Sequence, residues 1–144
     1  MKRTGGNDDV LQMLNEALER ELGSHLTLLH HSFLVTGFQR AVLRDFLRER
    51  AQESIDHAVL LGDKISARGG HPSAYPQLSH PSGDQTLEEM LRENLERERT
   101  TLELYVDSLA LLSGDVALDH LFRSIIVDKQ SYVDEFEKLL PPEQ

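Results

Sequence analysis

Four stretches of this chain carry apolar residues at the spacing of an amphipathic helix, and each has polar residues set into its apolar stripe. Leucine, isoleucine and valine recur three or four positions apart, which indicates a buried helix face. The polar positions on these faces are Glu21 and His25 in the first stretch, Ser54 and His57 in the second, Glu98 in the third, and Lys129 and Tyr132 in the fourth. A charge inside a helical bundle is costly unless it is paired or bound to a metal. Four helices that each direct polar groups inward therefore predict one shared buried polar site.

Capping residues and helix breakers set the expected boundaries of these helices. We expect helices over about 8–36, 38–68, 85–113 and 115–140, with Asn7, Asp8 and Asp9 forming the N-cap and acidic first turn of the first. Glycines and prolines concentrate at 69–84, which predicts a crossover loop. Short turns pair the first helix with the second and the third with the fourth as antiparallel neighbours. The prediction is an all-α four-helix bundle with a long crossover between helices 2 and 3, formed by residues 1–144 as a single domain.

Composition restricts the functions that this fold can have. The 144 residues include no cysteine, so neither disulfides nor thiolate metal ligands are available. The sequence lacks an apolar leader and a run of apolar residues that could span a membrane, and we therefore expect a cytoplasmic protein. The net charge of −10, with only Lys2 and Arg3 as a basic tail, argues against nucleic-acid binding. An acidic surface is compatible with attracting cations, but it is also a common route to solubility.

Three parts of the chain resemble bacterioferritins and other members of the ferritin-like superfamily, including the DNA-protecting mini-ferritins. LNEALEREL at 14–22 is similar to the opening helix of that family, and LFRSIIVDKQSYVD at 121–134 is similar to its fourth helix. ESIDHA at 53–58, followed by DKI at 63–65 and GGHP at 69–72, resembles the second helix and its exit. The resemblance extends from about residue 11 to residue 140 and implies a ferritin-like bundle.

The resemblance also implies where a di-iron centre would lie. That centre takes one Glu from each of two helices and a Glu-x-x-His pair from each of the other two. Glu21, Glu98 and His57 match family ligands, but Ser54 stands where the second helix should have its Glu. Glu53 is one residue away, rotated by about 100°, and would need a shifted helix to become a ligand.

On the fourth helix the resemblance places Lys129 at the Glu position and Tyr132 at the His position, so the di-iron motif is degenerate. Three interpretations remain open. Lys129 could neutralise Glu21 and Glu98 in a metal-free buried network that includes His57, Tyr132 and Ser54. Alternatively, Glu21, His25, His57 and Glu98 could form a relocated mononuclear metal site. In the third interpretation, Lys129 extends outward to solvent.

These features lead to two expected functions. The first is a bacterioferritin-related, iron-handling protein with an incomplete ferroxidase centre, which binds iron or another divalent metal and is catalytically weak or inactive. The second is a metal-free structural or interaction protein that keeps the bundle. Haem is not expected, because Ile55 occupies the position of the family's haem-binding Met. The resemblance implies a homo-oligomer that could also co-assemble with a ferroxidase-competent paralogue. A dimer or small cage is expected, since 141–144 do not provide the short fifth helix of the large bacterioferritin cage.

Overall fold

Four long helices form the protein in this computed structural model, which describes residues 4–79 and 83–142. They are α1 (Thr4–Leu34), α2 (Arg40–Ala67), α3 (Leu87–Ser108) and α4 (Val116–Leu139), with a 3₁₀ turn, Leu109–Leu112, after α3. The described ranges contain no β-strand. The prediction of four helices with a long connection between the second and third is confirmed. Lys2, Arg3 and the crossover residue Pro81 lie outside the described residues.

The crossover follows α1 along its length. The Asn15 side chain donates to the carbonyl of His71 (3.2 Å) and accepts from the backbone N–H of Ser73 (2.8 Å). The backbone N–H of Gln77 donates to the carbonyl of Glu19 (2.8 Å). Because the crossover leads from the N-terminal part of α1 toward its C-terminal end, α3 starts at the opposite end of the bundle from the end of α2. Helices α2 and α3 therefore run parallel to each other, and both run antiparallel to α1.

Gly23 permits a close approach between the crossover and α1. A Cβ atom at this position would lie 1.8 Å from the carbonyl oxygen of Gln77 and 2.9 Å from an Nη atom of Arg97. No side chain larger than hydrogen fits there without moving the crossover backbone. The glycine thus fixes how closely this segment packs on the helix.

Helix ends differ from the predicted boundaries in three places. Helix α1 begins at Thr4, so the predicted N-cap at Asn7 is wrong, and Asn7 Oδ1 instead accepts a hydrogen bond from Arg68 (3.3 Å). The first turn between helices is longer than expected, from 35 to 39, and contains Gly37 at φ +99°. Helix α3 ends at Ser108 rather than near Ser113, and the Ser108 hydroxyl donates to the carbonyl of Leu104 (2.6 Å), which competes with the helical pattern.

Side-chain caps begin α3 and α4. Thr86 caps α3 in a reciprocal capping box with Glu89: Thr86 Oγ1 accepts from the Glu89 N–H, and the Glu89 side chain accepts from the Thr86 N–H. Asp115 caps α4 by accepting from the N–H of Leu118 (3.0 Å). Asp115 also pairs with Arg68 at the end of α2, which connects two helix ends at one end of the bundle.

The interior consists of two apolar clusters with a polar layer between them. One cluster is built around Leu14, Leu61, Tyr105 and Phe122, and the other around Leu28, Leu47, Leu95 and Phe136. On each helix a group of buried polar residues lies between the segments that enter these two clusters. They are Glu21 and Ser24 on α1, Ser54 and His57 on α2, Glu98 and Thr101 on α3, and Lys129 on α4. Each helix therefore contributes to the polar layer that the sequence pattern predicts.

Candidate functional site

Lys129 lies at the centre of the polar layer. Its side chain is fully buried, and its Nζ donates to Glu21 Oε1 (2.8 Å) and to Glu98 Oε1 (2.9 Å). The two carboxylates, on α1 and α3, are themselves buried. Three helices are therefore joined through one ammonium group. The interpretation in which Lys129 extends to solvent is wrong, because packing around α4 encloses the whole side chain.

Glu21 has two further neighbours through its other oxygen. Tyr105, which is fully buried on α3, donates its hydroxyl hydrogen to Glu21 Oε2 (2.6 Å). The Nδ1 atom of His57 on α2 lies 3.5 Å from the same oxygen, at ion-pair distance but outside hydrogen-bond geometry. A buried carboxylate is stabilised when donors satisfy both of its oxygens, and Glu21 meets this condition.

His57 connects the buried cluster to the protein surface. Its Nε2 lies 3.1 Å from Oδ2 of Asp128, whose side chain is 46 % exposed, whereas the His57 side chain is 7 % exposed. The order of contacts from solvent inward is therefore Asp128, His57, Glu21 and Lys129. On the side where α2 faces α4, the His57 imidazole therefore links the buried layer to a carboxylate that is exposed to solvent.

Burial and ionic contacts have opposite effects on these pKa values. Burial raises the pKa of Glu21, but Lys129 and His57 outweigh it and leave that pKa below the ordinary value. Burial lowers the pKa of Lys129, whereas Glu21 and Glu98 raise it, and the ammonium stays protonated. Burial also lowers the pKa of His57, but Glu21 and Asp128 raise it above the usual range. Burial, reinforced by Glu21, raises the pKa of Tyr105, which keeps its hydroxyl a donor.

The charges in the layer therefore compensate one another. Below the raised pKa of His57, two cations, Lys129 and His57, face two carboxylates, Glu21 and Glu98. Asp128 adds a third, half-exposed carboxylate on the solvent side of His57. Buried ions are tolerated when they are paired, and each of these four ions has an oppositely charged partner within 4 Å.

Several predicted site residues lie nearby without direct bonds to Lys129. His25 Nδ1 donates to the backbone carbonyl of Ala51 (2.7 Å). Glu53 Oε1 accepts a hydrogen bond from Arg50 Nε (2.7 Å) and lies 2.6 Å from Nη2 of the same guanidinium. The buried Ser54 hydroxyl makes no hydrogen bond with any described residue. The relocated arrangement that the sequence suggested is thus not assembled around His25, since a backbone carbonyl on α2 engages its Nδ1.

Tyr132 contacts the layer through its ring. Lys129 Nζ lies 5.5 Å from the ring centroid, and the Arg50 guanidinium carbon lies 4.7 Å from it, both at cation–π distance. The Tyr132 hydroxyl has no hydrogen bond of good geometry among the described residues. Burial, together with the nearby Glu53, raises the pKa of this phenol. Tyr132 thus supplies an aromatic face to two cations.

The donor set does not fit a di-iron centre. Two metal ions need carboxylates and imidazoles that converge with free lone pairs, but the inward lone pairs of Glu21 and Glu98 accept hydrogens from Lys129. An ammonium has no lone pair to offer a metal, and its charge opposes a cation at the same place. Among residues 4–79 and 83–142, no three His, Asp or Glu side chains are grouped so that they could hold a metal ion.

Two members of the cluster were missed by sequence analysis. Tyr105 is seven positions after Glu98, so the two residues share a face of α3, and this spacing could have identified it. Asp128 immediately precedes Lys129 on α4, where a neighbouring position normally points away from the core. Its contact with His57 arises from the relative placement of α2 and α4, which the spacing along one helix does not contain.

The fold and the site together define a four-helix bundle with a long crossover and a central carboxylate cluster. A family model described as a ferritin-like domain matches residues 11–141, and the chain therefore belongs to the ferritin family. The expected resemblance to bacterioferritins is confirmed by the following relatives.

The chain is similar to two bacterioferritins over most of its length. The protein from Rhodobacter capsulatus is 30% identical over 138 residues, which cover 92% of this chain and 83% of that protein. The protein from Streptomyces coelicolor is 25% identical over 137 residues, covering 94% and 81% respectively. A solved structure described as ferritin-like, diiron-carboxylate proteins from Bacillus anthracis superposes with a TM-score of 0.91 at 24% identity, covering 96% of this chain and all of that one. The structural likeness supports the fold.

None of the described helices combines the length and the apolar character that a membrane span requires.

Proposed function

We propose that this chain is an iron-handling ferritin-family subunit in which the Lys129 ammonium takes the place of the metal ions, so that the subunit does not oxidise iron at this centre. The observation that supports the proposal is the position of Nζ, 2.8 and 2.9 Å from the two carboxylates that match family ligands. A single protonated amine supplies the positive charge that these carboxylates would otherwise receive from metal.

The ligand positions support the same conclusion. Efficient oxidation at a di-iron centre requires two metals held between carboxylates that bridge them. Ser54 and Lys129 stand at the positions of two such carboxylates, and Tyr132 stands at a histidine position. The half-exposed Glu53 is paired with Arg50, so replacing the missing carboxylate with Glu53 would break an existing ion pair.

The alternative function is a structural or interaction protein that has no role in iron handling. Both functions predict that iron is not oxidised at this centre, so an assay of iron oxidation does not distinguish them. The two differ in whether the assembled protein takes up iron beside a ferroxidase-competent paralogue. We favour the iron-handling function because the relatives named above are bacterioferritins. Haem is not proposed, since Ile55 packs on the first apolar cluster and has no ligand atom.

We further propose that the chain forms a homo-oligomer, or co-assembles with that paralogue, as a subunit that contributes shell rather than chemistry. Large apolar side chains exposed around the turn between α1 and α2 support this proposal: Phe38 is 97% exposed and Val42 is 73% exposed. Such side chains are typical of contact surfaces when they cluster. The mass of the purified protein in solution tests the homo-oligomer, and a monomer at all concentrations would contradict that form of the proposal.

Stopped-flow absorbance after mixing with two ferrous ions per subunit in air tests the absence of oxidation. We expect only the slow background rate. The matched comparison is a triple variant, Ser54→Glu, Lys129→Glu and Tyr132→His, which restores the family's ligand types and should gain a fast phase. Circular dichroism of the triple variant establishes that it is folded. A fast phase in the unaltered protein would refute the proposal.

A further inference from the structure

A half-buried arginine outside the polar layer, Arg97, forms no ion pair with a carboxylate of the described residues. Arg97 on α3 donates from Nη1 to the backbone carbonyl of Gln77 (2.9 Å) and from Nη2 to the Ser79 hydroxyl (3.4 Å). Its Nε is buried and has no acceptor among the described residues. Those residues also provide no carboxylate at ion-pair distance from Arg97. A guanidinium that has lost part of its hydration normally gains a carboxylate or phosphate in return.

A second arginine, which does pair with a carboxylate, lines the same cavity. Arg20 on α1 is 19% exposed at its side chain and reaches Glu16 through Nη2 (3.3 Å), but its buried Nε also has no acceptor in the described ranges. Arg20 and Arg97 both line a cavity of about 410 Å³ between α1, α3 and the crossover. Burial lowers the pKa of Arg97, Glu93 and Glu98 raise it, and Arg20 lowers it by a smaller amount, so that the pKa stays below its usual value. Two guanidinium groups that line one cavity present a cationic wall, which favours an anion there.

The remaining walls of the cavity specify the kind of anion. Glu93 and Glu96 also line it, so a ligand that offers acceptors to the arginines should also offer a hydrogen to a carboxylate. Hydrogen phosphate has both features near neutral pH, whereas sulfate is fully ionised and has no hydrogen to donate. The Ser79 hydroxyl lies on the same wall and can donate to a phosphate oxygen.

We infer that this cavity is a binding site for inorganic hydrogen phosphate, held by the forks of Arg20 and Arg97 and oriented by a glutamate on α3. The site lies outside the buried cluster of Lys129, and it does not depend on whether that cluster binds metal. Arg97 is already positioned by Gln77, whose backbone packs on Gly23, so little side-chain ordering is needed on binding.

Isothermal titration calorimetry with sodium phosphate at fixed ionic strength is the primary test. We expect saturable binding of phosphate and at least roughly tenfold weaker binding of sulfate. Arg97→Gln and, separately, Arg20→Gln should each weaken phosphate binding roughly tenfold or more. Arg123→Gln makes the same charge change on an exposed arginine of α4 and should leave the affinity unchanged. The two cavity variants are on different helices, so one remains informative if the other fails to fold.

The source of the phosphate group is tested with methyl phosphate, whose dianion has no acidic hydrogen. We expect it to bind more weakly than inorganic phosphate. Equal or tighter binding of methyl phosphate would overturn the assignment to inorganic phosphate. Absence of saturable phosphate binding, or equal affinity in the protein and in both cavity variants, would overturn the site itself.

Discussion

Replacement of Lys129 by Met removes the one ammonium that neutralises the centre of the bundle. The variant keeps a side chain of similar length, so the principal change is the loss of charge. Two buried carboxylates, Glu21 and Glu98, then face each other without their shared cation. Breaking a buried ion pair by removing one partner typically costs about 3–5 kcal/mol. A domain of this size is stable by only about 5–15 kcal/mol, so a large fraction of its stability should be lost.

This loss should be visible in both chemical and thermal unfolding. Each kcal/mol lowers the melting temperature by about 2–4 °C in domains of roughly 150 residues, which gives a decrease of about 6–20 °C. Lys138→Met is the matched control, because Lys138 is an exposed lysine on the same helix. Exposed substitutions of this type usually change stability by less than about 0.5 kcal/mol. The difference between the two variants therefore isolates the buried charge.

The cost of Lys129→Met should also depend on pH. In the unaltered protein the pKa of Glu21 is lowered, so its contribution to stability is present above the unfolded-state value and is lost as the pH falls through the folded-state value. Without Lys129, burial dominates and raises the pKa of a carboxylate, so the folded variant gains stability from a proton as the pH falls. The difference between the two proteins should therefore be smaller at about pH 5.5 than at about pH 7.5.

The final part of this experiment measures the stability of Lys129→Met in the presence of metal ions. Zinc or ferrous ion should partly restore the stability of Lys129→Met, since a cation can enter where the ammonium was and binds only the folded state. The unaltered protein should show no such stabilisation. Equal stability of Lys129→Met and Lys138→Met at both pH values, with no effect of metal, would refute the reasoning.

Three further predictions concern the neighbours of this cluster and the packing of the crossover. Tyr105→Phe removes a 2.6 Å hydrogen bond to a buried carboxylate and should cost about 1.5–3 kcal/mol in urea unfolding; a neutral result would contradict the contact. Gly23→Ala should cost at least about 1–3 kcal/mol because its Cβ meets crossover backbone, whereas Gly62→Ala, with nothing within 4 Å, should be neutral or stabilising; equal effects would argue against the close approach. The folded-state pKa of His57 is raised, so its contribution to stability is complete below its unfolded-state pKa and is lost as the pH rises through the folded-state value; His57→Gln should flatten the stability profile in this interval, and an unchanged profile would count against the ionic role of the imidazole.

The sequence could predict the bundle because its pattern is local. Apolar residues at helical spacing, the Thr86 capping box and the concentration of glycine and proline after residue 68 each specify structure within a few positions. Helix ends were less predictable because side-chain competition decides them: Asn7 bonds to Arg68 instead of capping, and Ser108 bonds to Leu104. These contacts depend on tertiary packing or on rotamer choice.

The candidate site was partly predictable for the same reason. Glu21, Glu98 and Lys129 could be placed on inward faces from spacing, but which of them would be in contact depends on how three helices are aligned. The spacing could not show that the Ser54 hydroxyl has no hydrogen bond within the described part of the chain, or that Glu53 pairs with Arg50. Asp128 shows this most clearly. Its contact is with His57, which is 71 positions earlier in the sequence and lies on another helix.

Anomalous diffraction at the iron edge, from crystals equilibrated with ferrous ion without oxygen, tests most directly whether Lys129 replaces the metal ions. We predict no iron peak between Glu21 and Glu98, with the Lys129 ammonium in contact with both carboxylates as in the structure described above. An iron peak at ligand distance from either carboxylate, with Lys129 displaced, would contradict the proposal that the ammonium occupies the metal position.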